Sequence, residues 1–420
     1  MEWTRFQKYA RRMREFIQYS FPDPPSPETF SAIQLCTINE PLFPNLKTLK
    51  LTGIQGRLIP FIPLFFSPGI TSITLGFKSN LPDAMIASAI TTLSTLCSNL
   101  QDITLFNLPR SPVITAAVSG RLLIANRNTL QGFRADSALT EEASEVLYKL
   151  PNLRCLSVVT ERETRLPSAL LPSLTYLSIR CEDEDGWPRL FHGATLGKLE
   201  HVNFHLQSKQ VGDFLGAFER AALSLSVRNT LSKFYIFAQH SWNPNYSSLL
   251  PFTQLVNLEI EIPCDDGCPS RVDDDIIISL SRAMPKLEIL ALGDPPCGQS
   301  TTGITTKGLL ALAHRCPKLS SLCVHLRVAS LGKPPGIPGM VPGAGPATPW
   351  KDCALAELIV GETPVPEGSA TMIALTLLRI FPRLGSIIFR DGGWEEVENV
   401  INRSRETADC SGKQHPLTTP

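Results

Sequence analysis

The sequence predicts an α/β solenoid in which one short parallel strand and one helix alternate along the chain. Three observations predict it. A short apolar pattern recurs at near-even spacing, helical apolar periodicity fills the gaps between its copies, and proline punctuates the joins. A unit of one strand and one helix cannot bury its apolar face alone, so neighbouring units must stack.

The pattern is Pro-x-Leu-x-x-Leu-x-Leu. It stands as Pro44, Leu46, Leu49 and Leu51, and it recurs with Leu153, Leu156, Val158 and with Leu174, Leu177, Ile179. Further copies carry Leu287, Leu290, Leu292, then Leu319, Leu322, Val324, then Leu384, Ile387, Phe389. Each of these six has a proline two residues before its first leucine. Looser copies begin at Ile70, Leu100, Leu130, Leu199, Leu231, Leu255 and Leu355, which makes thirteen starts. From Leu46 to Leu384 they average about 28 residues apart, near the upper end of the roughly 20 to 29 usual for leucine-rich repeats. In this pattern the last two apolar positions alternate inward along a strand, and the first closes the layer from the preceding turn.

Between the strands the apolar residues fall at i, i+3, i+4 and i+7, which predicts helices over 83–96, 138–150, 210–223, 273–283, 305–315 and 369–381. Thr305 is placed to cap one of them, and Asp273 to Asp275 open another with carboxylates that suit a helix N-terminus. The result is a horseshoe of about thirteen irregular repeats over residues 28–402. A doubly wound sheet is disfavoured, because no strand runs into a glycine-rich phosphate turn. Residues 1–27 read as an N-terminal helix and a proline-rich linker that holds Pro22, Pro24, Pro25 and Pro27. Residues 333–349, rich in proline and glycine, read as a disordered insert, and 403–420 as a frayed polar tail.

Composition narrows the function. The 39 Lys and Arg balance 39 Asp and Glu, so the chain lacks the basic excess that nucleic acid or an anionic membrane surface would require. The longest apolar run, Leu58 to Phe66, is far short of the roughly 20 residues that span a bilayer. Eleven cysteines spread singly, several inside apolar runs, suit a reduced compartment, cytoplasmic or nuclear. There is no G-x-S-x-G elbow, Walker loop, G-x-G-x-x-G or H-E-x-x-H, so neither catalytic residues nor a cofactor is expected. His201 and His205 lie four apart on a strand and read as solvent-facing histidines of a binding surface, not a metal pair. Cys264 and Cys268, beside Asp265 and Asp266, have a spacing seen in zinc hooks but no matching second pair. They read as a solvated loop, and no metal is expected.

Two repeats are more particular. Cys97-Ser98-Asn99-Leu100 and Cys316-Pro317-Lys318-Leu319 each set a cysteine at a helix end, three residues before the first leucine of the strand. This resembles the cysteine-containing subtype of leucine-rich repeat carried by many F-box proteins. The segment Trp3 to Arg14 is similar to the one that joins the F-box to the repeats in fungal members of that family. The F-box itself has no counterpart in these 420 residues. The resemblance implies that Cys97 and Cys316 pack in the core and that the repeats hold a protein target for a ubiquitin ligase. It implies the cullin-ligase adaptor as a partner only if an F-box lies upstream.

Strand alternation also predicts which residues face out of the horseshoe on its concave side. Successive repeats place there Tyr176, Ser178 and Arg180, then His201, Asn203 and His205, then Lys233, Tyr235 and Phe237, then Asn257, Glu259 and Glu261. Early strands place Thr48, Lys50, Ser72 and Thr74 instead. Aromatic and Arg side chains anchor protein interfaces far more often than Ser and Thr do. The expected partner surface is therefore Tyr176, Arg180, His201, Asn203, His205, Lys233, Tyr235, Phe237, Glu259 and Glu261. A stand-alone scaffold or inhibitor with no ligase role is the alternative function.

Overall fold

Every predicted repeat start is followed, two residues on, by the first residue of a strand in the computed structural model. The structure describes residues 2–19, 26–37, 41–138, 141–160, 173–182, 198–207, 213–222, 225–240, 242–263, 272–293, 303–331, 353–361, 363–390 and 393–411. The expected insert at 333–349 and the Cys264 and Cys268 loop lie outside the described residues. Among the described residues fourteen strands form one open parallel sheet in chain order, alternating with helices, which is a leucine-rich-repeat solenoid. The chain divides into two compact units, Met1–Phe204 and His205–Pro420.

The first unit holds β1 (Glu15–Gln18), β2 (Thr48–Ile54), β3 (Ser72–Phe77), β4 (Asp102–Phe106), β5 (Gly132–Ala138), β6 (Cys155–Thr160) and β7 (Tyr176–Cys181). Its helices are α1 (Glu2–Ala10), α2 (Pro27–Cys36), α3 (Asp83–Leu96), α4 (Pro112–Ala117) and α5 (Glu141–Tyr148). β8 (His201–Leu206) contains the boundary between the units. The second unit holds β9 (Lys233–Ala238), β10 (Asn257–Glu261), β11 (Ile289–Leu292), β12 (Ser321–Cys323), β13 (Glu357–Gly361) and β14 (Ser386–Phe389). Its helices are α6 (Phe214–Ala221), α7 (Leu225–Thr230), α8 (Asp274–Ala283), α9 (Thr306–Arg315), α10 (Val328–Leu331), α11 (Ala370–Ile380) and α12 (Trp394–Ser411).

The start positions explain why the strands sit where they do. All thirteen are at most 1% exposed, so each removes a full aliphatic side chain from water, on the order of 2 kcal/mol apiece. Proline fixes the turn before them. Leu46, Leu287, Leu319 and Leu384 each donate a backbone N–H, at 3.0–3.3 Å, to the carbonyl three residues back, with Pro44, Pro285, Pro317 and Pro382 at the second turn position. That position wants the φ that proline already has. Pro68 holds the same place before Ile70, whose N–H reaches Ser67 O at 3.1 Å, so the punctuation extends to a copy grouped above with the looser ones.

Within each unit the junctions then repeat one hydrogen-bond device. The carbonyl of the residue after a start accepts two successive N–H groups from the next repeat. Lys47 O takes Thr71 N and Ser72 N at 2.9 and 3.1 Å, Thr71 O takes Gln101 N and Asp102 N, and in the second unit Ala356 O takes Gly385 N and Ser386 N. Register follows from it: Thr48 pairs with Ser72, and Asn257 with Ile289, so equivalent positions of successive repeats stand side by side.

Three expectations need correction at the ends. Glu15–Gln18 is a strand, β1, paired in parallel with β2, and it lengthens the sheet by one beyond the predicted repeats. Phe16 is its inward residue and packs its ring 5.6 Å from Phe43 and 5.2 Å from Phe65. The linker expected to end at Pro27 instead gives that residue to α2, where Ser26 caps the helix and Pro27 takes the first turn. The tail expected from 403 begins inside α12, which runs to Ser411 because Trp394, Val397 and Ile401 bury one face.

Candidate functional site

Strand alternation gives this sheet two faces with different duties. On β9, Phe234, Ile236 and Ala238 are at most 1% exposed, while Lys233 and Phe237 are open to solvent. On this strand the side chains alternate between the two faces. Each unit holds its own share of the positions predicted from the repeat frame.

In the first unit Tyr176 and His201 stand half-buried, with ring centroids 6.3 Å apart and an interplanar angle of 77°. An edge-to-face pair of this kind fixes both rings. Arg180 is exposed at the far end of β7, and Ser178 between them is buried. Asn203 holds its Oδ1 buried and without a hydrogen-bond partner among the described residues. Nearby elements carry an ion pair between Arg110 and Glu182.

In the second unit His205 lies 6.2 Å from the Tyr235 ring and 6.0 Å from the Phe237 ring. Across the next ladder Tyr235 stands opposite Glu259, and Phe237 opposite Glu261. Burial first and the Glu261 carboxylate second push the Tyr235 hydroxyl up to about 12. It is a neutral donor at any physiological pH. The Glu259 carboxyl is held above its ordinary value by burial and then by the Glu261 charge, against the pull of an Asn257 hydrogen bond and of Lys233. Two carboxylates thus share one strand beside an aromatic wall, with Lys233 one strand away.

The cysteines singled out by the repeat signature are buried. Cys97 Sγ donates to Ser67 O at 3.4 Å and Cys316 Sγ to Met284 O at 3.6 Å, each a carbonyl at the end of the preceding repeat. Burial pushes both thiols up to about 12, which makes them poor nucleophiles and poor metal ligands. Cys353 does the same toward Cys316 O at 4.0 Å, but it sits two residues before its leucine, not three, so the spacing rule passed over it. No group of three His, Cys, Asp or Glu side chains suited to a metal ion occurs among the described residues.

Sequence reasoning left the outward row beyond β10 unassigned. Ala291, Cys323, Ile359 and Ile388 occupy the same frame position as Glu259, and Ile388 is 47% exposed. Counting from Leu287, Leu319, Leu355 and Leu384 would have found them. No family model matches the chain, and no curated protein does. Among solved structures 38 chains match, one of them a leucine-rich-repeat protein of Leptospira interrogans. It is 13% identical at a TM-score of 0.41, over 94% of this chain and 91% of that one, too distant to say what this chain binds.

Proposed function

We propose that this chain is a protein-binding leucine-rich-repeat module whose partner is held on the outward strand face. One observation carries the reading. In the second unit His205, Tyr235 and Phe237 gather three rings within 6.2 Å of a neighbour, and Phe237 keeps 38% of its surface in water. Rings held rigid and left wet lose little entropy when a partner covers them, which is what makes aromatic residues interface anchors. Tyr176, Arg180, His201 and Asn203 are the matching positions of the first unit and enter the proposal on their chemistry.

The finer reading follows the F-box resemblance: the repeats would hold a target for a ubiquitin ligase in the cytoplasm or nucleus. The alternating repeat with buried helix-end cysteines, and α1 over Trp3–Ala10 of the Trp3–Arg14 segment, support it. The alternative is a scaffold or inhibitor that covers its partner and never meets a ligase. Binding rather than catalysis is proposed in either case. No described helix is long and apolar enough to cross a membrane.

The test is affinity purification from native cells with wild type, with Tyr235→Ala/Phe237→Ala, and with Thr48→Ala/Thr74→Ala. A partner that is lost only with the first pair supports the surface; equal recovery with both counts against it. Co-purification of the native gene product, with any in-frame upstream segment, with the cullin-ligase adaptor separates the two functional readings. Adaptor in the native complex supports the ligase role, and its absence there favours the scaffold.

A further inference from the structure

The outward positions of the second unit form registered rows, and the chemistry changes along them. Tyr235 faces Glu259, Glu259 faces Ala291, Ala291 faces Cys323, Cys323 faces Ile359 and Ile359 faces Ile388. The order is aromatic, acidic, small, apolar. One row over, Phe237 faces Glu261. The glutamates are walled by rings on the β9 side, while on the β11 side Glu259 faces only the Ala291 methyl.

That arrangement discriminates among partners. An anion would meet two carboxylates, and a phosphate backbone would be repelled for the same reason. A purely apolar segment would strip water from Glu259 and Glu261 and give nothing back. A cationic side chain gains at both ends: the carboxylates accept its N–H groups, and the Tyr235 and Phe237 ring faces attract its charge. Farther along the row, Ile359 and the exposed Ile388 offer an apolar landing, with Glu357 two residues before the first and Arg390 two residues after the second.

We propose that the second unit binds an extended segment of a partner protein by an Arg or Lys side chain seated between the Tyr235 and Phe237 rings and the Glu259 and Glu261 carboxylates, with an apolar side chain of the same segment on Ile359 and Ile388. The proposal rests on the reading of this face as a partner surface. It also sets a spacing. Neighbouring strands lie about 4.8 Å apart, so the three steps from Glu259 to Ile359 cover about 14 Å. An extended chain advances about 3.3 Å per residue, so the basic and apolar anchors stand about four residues apart.

Selection of a random dodecapeptide phage library on the purified full-length protein tests it, followed by fluorescence anisotropy with the most enriched peptide. Enriched peptides should carry Arg or Lys with Leu, Ile, Met or Phe about four residues away. Glu259→Gln/Glu261→Gln should weaken the chosen peptide at least about tenfold and flatten its salt dependence. Ile388→Ala should weaken it only when the apolar residue is present. Peptides without a basic residue, or an affinity unchanged by the Glu to Gln pair, overturn the cation site. If such peptides are nonetheless lost with Tyr235→Ala/Phe237→Ala, the face still binds partners and only the chemistry proposed here fails. Failure to enrich any peptide that depends on these residues overturns both readings. Circular dichroism melts verify that each variant folds, and Tyr235→Phe, which removes only the hydroxyl, replaces the alanine variant if that one does not.

Discussion

Glu259 illustrates how far a single outward residue could be read. Its direction follows from Leu255 by counting along the strand, and its neighbours Tyr235 and Ala291 follow from the starts at Leu231 and Leu287, because the frames align without offset. What counting cannot give is the electrostatic state. Burial and then Glu261 hold the carboxyl above its ordinary 4.5, despite Asn257 and Lys233. A carboxyl that titrates higher in the folded chain binds more protons there than in the unfolded chain. Stability is therefore lost as pH rises from 4.5 through the raised value. Glu259→Gln should raise the melting temperature at pH 7 and change nothing below about pH 4, where both states are neutral. A scanning-calorimetry series across that range decides it; a lower melting temperature at pH 7 would mean that Lys233 and Asn257 outweigh burial. A residue that costs stability where binding is proposed is the usual sign of a surface kept for its partner.

Among elements, the helices of the second unit show what local periodicity sees and what it misses. The apolar spacing placed α8 and α9 within one residue of their observed ends, and the caps at Asp273 and Thr305 are the ones that accept Ile276 N and Lys307 N. The spacing could not reveal that Asp274, one residue into α8, ties the two helices together. Its carboxylate accepts Thr305 N at 2.8 Å and Gly308 N at 3.0 Å, and also the Thr305 hydroxyl. Glycine at 308 is what lets the carboxylate in, since a Cβ there would lie 2.6 Å from Asp274 Oδ1. Asp274→Ala should cost about 2 kcal/mol in urea unfolding, and Asp274→Asn less because an amide oxygen can still accept. An effect under about 0.5 kcal/mol for the alanine variant would make the bridge ornamental. β1 was missed for a related reason: four residues of Glu-Phe-Ile-Gln have too little alternation to announce a strand, and only pairing with β2 makes them one.

At the scale of the molecule, the order of elements was legible because it is written thirteen times, whereas the long connections were not, because they repeat nothing. Cysteine placement offers a check on the packing of each unit. Cys36 is exposed, whereas Cys97 and Cys181 in the first unit and Cys316 in the second are at most 2% exposed, with thiols pushed up to about 12, 11 and 12 by burial. Maleimide labelling at pH 7.5, mapped by mass spectrometry, should mark Cys36 at once and the three buried thiols only as fast as their surroundings open. Labelling of Cys97 or Cys316 at the rate of Cys36 would contradict the layered core. The paired acceptor at each repeat junction has a consequence for heredity. Starts 21 residues apart, as at Leu153 and Leu174, and 36 apart, as at Leu319 and Leu355, enter the sheet in the same frame. A gene of this kind can lengthen, shorten or duplicate its return segments and leave every later strand facing the same way. A single-residue insertion between a start leucine and its strand would turn that strand inside out.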